Sequence, residues 1–244
     1  MAWSCSHAKY CDKEAFEAML KFKQHWKPQY VACLGDFTDM TAFMSSSRGV
    51  SSEHEPVEPD IDTGLMHLAH MQPTDVLLGN HEDRIYKIRN DPGSNAVIAY
   101  AANKAVEHIE TACKKMKARI HPYDGVFQLV KVEQSDIGLS HGTIFNEMAA
   151  RDMAETYCNG TTIRKVIFGH THKVSIQSSR TLSSSVGYNI GCMTKRNALE
   201  YAKTRRSTLA WTQAFCWFEY CNSLALSSIH ITSRSPGEQW RLPI

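Results

Sequence analysis

Five short segments of this chain set small residues beside side chains that bind metal ions. They are Ser4-Cys5-Ser6-His7, Gly35-Asp36-Phe37-Thr38-Asp39, Gly79-Asn80-His81-Glu82, Ser140-His141-Gly142 and Gly169-His170-Thr171-His172. Two divalent cations roughly 3.5–4 Å apart need one anionic ligand between them and neutral or anionic donors outside. A carboxylate such as Asp36 can bridge. Imidazoles and an amide oxygen complete the set without cancelling the Lewis acidity that activates water. The chemistry served by such a pair is in-line displacement at phosphorus.

The elements that position these residues follow from the apolar pattern. Residues 1–4, Tyr30-Val-Ala-Cys-Leu34 and Asp75-Val-Leu-Leu78 read as buried strands, each running into one of the segments. Further strands are expected at 126–132, 136–140, 164–168, 173–178, 211–218 and 224–232. Helices are expected at 13–26, about 62–71, 95–118 and about 147–158, the third with Val97, Ile98, Ala101, Ala105, Ile109 and Met116 inward. Residues 44–62, rich in Ser, Glu, Pro and Asp, read as a long surface loop; that loop and 82–125 are expected to shape the pocket. Strand–helix alternation followed by a strand-rich half predicts one layered α/β domain over 1–244, two packed mixed sheets flanked by helices. In such sheets loops at the carboxyl ends of strands converge on one crevice, so distant segments meet there.

Bulk properties exclude little. The chain has 244 residues, 43% hydrophobic, with a formal net charge of +2, so a polyanion is not an obligatory partner. No segment approaches the roughly 20 apolar residues of a membrane span, and no signal peptide is read, so a cytoplasmic location is expected. The eight cysteines include no C-x-x-C pair, which argues against a zinc ribbon. Of twelve histidines, those at 25, 54, 67, 70, 108, 121 and 230 read as structural or surface residues. The Lys-Thr-Arg-Arg run at 203–206 reads as a solvated basic turn, with a phosphate-bearing partner as the sharper alternative.

The ordered set S-x-x-H, G-D-x-x-D, G-N-H-E, S-H-G and G-H-T-H over positions 5 to 172 resembles the calcineurin-like metallophosphoesterase superfamily, in the compact form of its phage and bacterial members. Asn189-Ile190-Gly191 resembles a later turn of the family. The resemblance implies a first metal among Cys5, His7, Asp36 and His172, and a second among Asp36, Asn80, His141 and His170. It implies that His81 contacts the phosphate with Asn80 and protonates the leaving alkoxide. It also implies that Asp39 orients that imidazole and that a hydroxide bridging the ions is the nucleophile. Arg84, two residues after Glu82, could face the phosphate or pair with Glu82 or Asp83.

One position departs from the pattern. The family usually begins D-x-H, and here position 5 is cysteine. Two divalent ions are expected, zinc, iron or manganese before nickel or magnesium, and a Cys5 thiolate tilts the first site to zinc or iron. The expected activity is hydrolysis of a phosphate mono- or diester, with a phosphorylated small molecule or nucleotide as substrate and no membrane partner. Two alternatives stand beside it: a nuclease, which would want an extended basic and aromatic groove, and a non-catalytic metal- or phosphate-binding protein, suggested by Cys5.

Overall fold

Alternation along short strands decides the layers. The computed structural model describes residues 1–44, 54–182, 184–196, 198–199, 202, 205–221, 226–235 and 237–244. One sheet has β1 (Ala2–Trp3), β2 (Ala32–Cys33), β3 (Asp75–Leu77) and β4 (Arg119–His121) in parallel, extended on the β1 side by antiparallel β10 (Gln213–Cys221) and β11 (Leu226–Arg234). The second runs in the order β5 (Val130–Lys131), β6 (Ile137–Leu139), β7 (Lys165–Phe168), β9 (Val186–Ile190), β8 (Val174–Ser178), with β6, β7 and β9 parallel.

Successive strand residues point to opposite faces. Ala32, Leu34 and Leu77 therefore meet Leu139, Ile167 and Ile190 between the sheets, while Cys33 and Val76 turn to the other face. There they pack with Met19 and Phe22 of α1 (Lys13–Trp26), Leu68 and Met71 of α2 (Val57–Met71), Ile85 of α3 (Asn80–Asn90) and Ile109 of α4 (Ala96–Met116). Val166 and Phe168 turn outward onto α5 (Ala149–Cys158). The result is helices, sheet, sheet, helix, the expected α/β class with two mixed sheets. Among the described residues no helix is long and apolar enough to cross a membrane.

Several boundaries differ from the sequence reading. α2 begins at Val57, so the end of the expected 44–62 loop is helical, and residues 45–53 lie outside those described. Glu58 and Asp60 read as loop polarity but occupy a helix first turn, where the dipole favours acids. In α4 the inward stripe is Ala102, Ala105, Val106, Ile109 and Cys113; Val97 and Ile98 are 75% and 44% exposed and Ala101 is exposed. Hydrophobicity alone placed those first-turn residues inside, but the core does not extend to that end of the helix. The expected strand 126–132 is reduced to Val130–Lys131 behind a single-turn helix, Gly125–Phe127. α3, β4 and β9 had no apolar period strong enough to announce them.

β3 is anchored from below the site. The buried Asp75 carboxylate accepts hydrogen bonds from Tyr30 Oη at 2.7 Å, Arg119 Nε and Nη2 at 2.8 and 2.9 Å, and His121 Nε2 at 2.7 Å. Burial works to raise this carboxyl, but the bonds from His121, Arg119 and Tyr30 outweigh it and hold it well below the usual range. Asp75→Ala is expected to cost about 2–3 kcal/mol, because it removes the one carboxylate that Tyr30, Arg119 and His121 share. Since the folded-state pKa is depressed, Asp75 stabilises the native state above about pH 4 and loses that effect as the pH falls below it. Urea titrations of both proteins at pH 7 and pH 3 check this: the gap between them should shrink at pH 3.

Candidate metal centre

Every candidate ligand lies just past the carboxyl end of a parallel strand. β1 runs into Cys5 and His7, β2 into Asp36, β3 into Asn80, β6 into His141, and β7 into His170 and His172. The chain turns so abruptly there that five of the candidate ligands adopt positive φ: Cys5 (53°), His7 (47°), Asp36 (53°), His170 (64°) and His172 (62°). Such conformations cost free energy and cluster where a site demands them. Backbone bonds between the segments hold them: Cys5 N–H donates to Gly35 O (3.0 Å), His7 N–H to Asp36 O (2.9 Å) and Gly169 N–H to His141 O (3.0 Å).

Asp36 is the hub. Its Oδ2 lies 3.3 Å from His141 Nε2 and 3.9 Å from the Nε2 atoms of both His7 and His81, and its Oδ1 accepts the His81 backbone N–H at 3.0 Å. Burial acts to raise this carboxyl, but His141, His81 and His7 around it prevail and hold it well below the carboxylate range. Two donor groups meet on it. Ligand atoms of Cys5, His7, Asp36 and His172 all lie within 4.8 Å of one another, as do those of Asp36, His141 and His170. Asn80 Oδ1 joins the second group, 3.1 Å from His141 Nε2 and 3.0 Å from His170 Nδ1. The structure thus brings together all seven residues from which the sequence reading built its metal sites.

The donor chemistry fits divalent cations. Burial, aided by His141, lowers His170 to about 4; burial with His7 beside it drives His172 well down. Both therefore stand as neutral imidazoles, the form that ligates metal. His7 Nε2 and His172 Nε2 face each other at 3.1 Å, so two ring nitrogens converge on one point. Burial and then Asp36 push the Cys5 thiol well above its ordinary value. A coordinated cation is what would deprotonate it. Its sulfur accepts the His170 N–H at 3.3 Å and lies 3.0 Å from Ser4 Oγ.

Beside the hub stands His81. Its Nδ1 sits 2.7 Å from the Asp39 carbonyl and 3.2 Å from Asp39 Oδ1, so Nδ1–H is the donor and Nε2 is turned to Asp36. Burial would lower this imidazole, but Asp36 and Asp39 raise it. Asp39 Oδ1 also lies 3.0 Å from His7 Nδ1, so one carboxylate orients both rings. Arg84 donates from Nη1 to the Asp39 carbonyl at 2.7 Å and, among the described residues, has no carboxylate partner; Asp83 pairs with Lys87 instead, and Glu82 is engaged elsewhere.

Glu82 was not singled out as functional, yet it ties the site together. One oxygen accepts the N–H groups of Asp36 and Gly79 (2.9 and 2.8 Å), the other the N–H and hydroxyl of Thr38 (2.9 and 2.7 Å). Its bond to Gly79 is the third-residue half of a capping box at the start of α3, and Gly79-Asn80-His81-Glu82 carries that signature in plain view. Asp60 likewise accepts the N–H groups of Asp39 and Met40 at 3.0 and 2.8 Å. Gly79 has no room for a side chain: a Cβ there would lie 2.1 Å from Asp36 Oδ1. Gly79→Ala is expected to displace Asp36 and lose bound metal, which metal analysis of the purified variant checks.

A cavity of about 380 Å³ opens over these residues. Arg84 and Met44 line it, but residues 85–125 do not; Phe145, Ala202, Arg205, Ser207, Thr208 and Trp211 form much of its wall. The expectation that 44–62 and 82–125 shape the pocket therefore holds only at Met44 and Arg84 among the described residues. Positions 203 and 204 of the basic run lie outside the described residues. His67 is buried against Phe16 at 4.5 Å, as a structural histidine.

The model of the calcineurin-like phosphoesterases matches residues 4–174. The chain belongs to this family. Metal-dependent hydrolysis of phosphoric esters is the activity that family membership implies. No curated protein matches the chain. Among solved structures, a hypothetical protein from Pyrococcus horikoshii is 10% identical with a TM-score of 0.50, covering 94% of this chain and 85% of that one. A metallophosphoesterase from Sphaerobacter thermophilus is 14% identical with a TM-score of 0.45, covering 98% and 88%. A predicted phosphoesterase from Streptococcus pneumoniae is 11% identical with a TM-score of 0.42, covering 100% and 92%.

Proposed function

We propose that the protein hydrolyses a phosphate mono- or diester at a centre of two divalent ions that share Asp36. The observation that carries this reading is the meeting of two donor groups on that one carboxylate. Cys5, His7, Asp36 and His172 would hold one ion, and Asp36, Asn80, His141 and His170 the other. When bound, the ions supply Lewis acidity for the phosphoryl oxygens and for the attacking water. The chain's own residues do the rest. Arg84 offers positive charge to the phosphate, and Asp39 fixes the His81 ring so that Nε2 faces the reacting ester. His81, whose basicity Asp36 and Asp39 raise against burial, gives a proton to the departing oxygen.

Assay of aryl phosphate mono- and diesters with zinc, iron, manganese, nickel or magnesium, beside single-stranded and duplex DNA, tests the reading. Turnover of small esters with one or more metals is the expected result. No turnover under any metal leaves a binding protein, and selective turnover of DNA makes it a nuclease.

Cys5 sets the metal preference. A thiolate keeps the single negative charge of the usual aspartate but offers one soft donor at about 2.3 Å from zinc, which favours zinc or iron over magnesium and manganese. Cys5→Asp is expected to shift the activating metal towards manganese. Cobalt-loaded wild type should also show a sulfur-to-metal charge-transfer band that the variant lacks. Identical metal preference and identical spectra would exclude Cys5 as a ligand.

A further inference from the structure

The wall of the cavity points to the part of the substrate that is not phosphate. Its volume, about 380 Å³, falls in the range of sites that enclose whole small molecules, roughly 300–1,000 Å³. Two aromatic rings flank the two halves of the centre. Phe145 meets His170 edge-on at 5.6 Å, and Trp211 meets His172 edge-on at 4.2 Å.

The two rings are held differently. Trp211 is 7% exposed, packed with Leu199 and Ala202, and its carbonyl accepts Arg196 Nη2 at 2.8 Å. It is a fixed wall. Phe145 is 56% exposed although it stands at the rim of a polar site. An exposed aromatic beside anion-binding groups is the arrangement on which bases stack. The lining also includes Arg84, Arg205, Ser207 and Thr208; the Thr208 hydroxyl is engaged, donating to the Arg205 carbonyl at 2.8 Å. Arg205, Ser207, Thr208 and Trp211 lie beyond residues 4–174, so this part of the wall is outside the portion matched to the family.

We propose that the cavity selects a mononucleotide-type ester. The base stacks on Phe145, the sugar faces the Ser207 side of the wall, and the phosphate lies over the centre beside Arg84 and Arg205. The assignment rests on the proposed phosphoesterase reading. A flat exposed aromatic ring, a serine and cations along one small cavity match the three parts of a nucleotide. A cavity of this size, in a chain of net charge +2, favours a single nucleotide over a strand.

Calorimetric titration of the zinc-loaded full chain with AMP and with ribose 5-phosphate tests this, since the two ligands differ in the base. AMP is expected to bind about tenfold tighter, within the range that base–aromatic stacking produces. Phe145→Ala should erase that ratio and Phe145→Trp should preserve it. Equal affinities in wild type, or a ratio unchanged in Phe145→Ala, would overturn the proposal. A single-stranded decanucleotide binding more than about tenfold tighter than AMP would also overturn it, because stacking would then extend over several bases. The AMP preference without hydrolysis of any ester would leave the nucleotide site standing and remove the phosphoesterase reading. Hydrolysis without the preference would do the reverse.

Discussion

Asp36→Asn is expected to lower turnover by on the order of a thousandfold, because loss of the shared anion forfeits several kcal/mol of Lewis-acid stabilisation at 1.36 kcal/mol per decade. The substitution is nearly isosteric, and an amide oxygen can still accept the His81 N–H that Asp36 Oδ1 now accepts at 3.0 Å. The fold should therefore survive. What disappears is the negative charge that His141, His81 and His7 surround, on a residue only 1% exposed. The check is turnover, metal content and thermal melting measured on one preparation. The expected pattern is a near-native melt, less than a full complement of metal and collapsed activity. Wild-type turnover in the variant would remove Asp36 from the shared position.

His81→Ala is expected to cost about 10²–10⁴ in turnover, the range of general acid catalysis. The loss should depend on the leaving group. A nitrophenolate departs readily without a proton, whereas an alkoxide does not, so alkyl esters should lose far more than nitrophenyl esters. The pH dependence follows from the raised pKa of His81, set by Asp36 and Asp39 against burial. Because the protonated ring is the acid, activity falls as pH rises through that raised value, and this alkaline limb should vanish in the variant. Equal losses for alkyl and nitrophenyl esters, with the limb intact, would assign His81 to structure alone.

Much of the centre was legible because each ligand ends a strand. An apolar run broken by a small residue, serine or glycine, and a metal-binding side chain is a local signal, and five such runs occur in order. Their convergence needed only the rule that parallel strands open their carboxyl ends to one crevice. The clamp by Glu82 is carried by Gly-Asn-His-Glu as a helix start, a signal masked by the apolar run before it, which marks the end of a strand. The cavity wall was illegible for a different reason. Ala202, Arg205, Thr208 and Trp211 reach the site through tertiary packing, with Trp211 and Ala202 against Leu199 and Tyr10, and no periodicity in that segment records it. In α4, Val97 and Ile98 read as core although the core stops at Ala102. There hydrophobicity was visible and the extent of the partner surface was not.

On the proposed reading, two ions sharing Asp36 act together. Its most direct test is titration of metal-free protein with zinc or iron while hydrolysis of an aryl phosphate diester is followed. Activity is expected to rise to a plateau at two equivalents, with two ions retained after desalting. Full activity at one equivalent, or none at any, would contradict it.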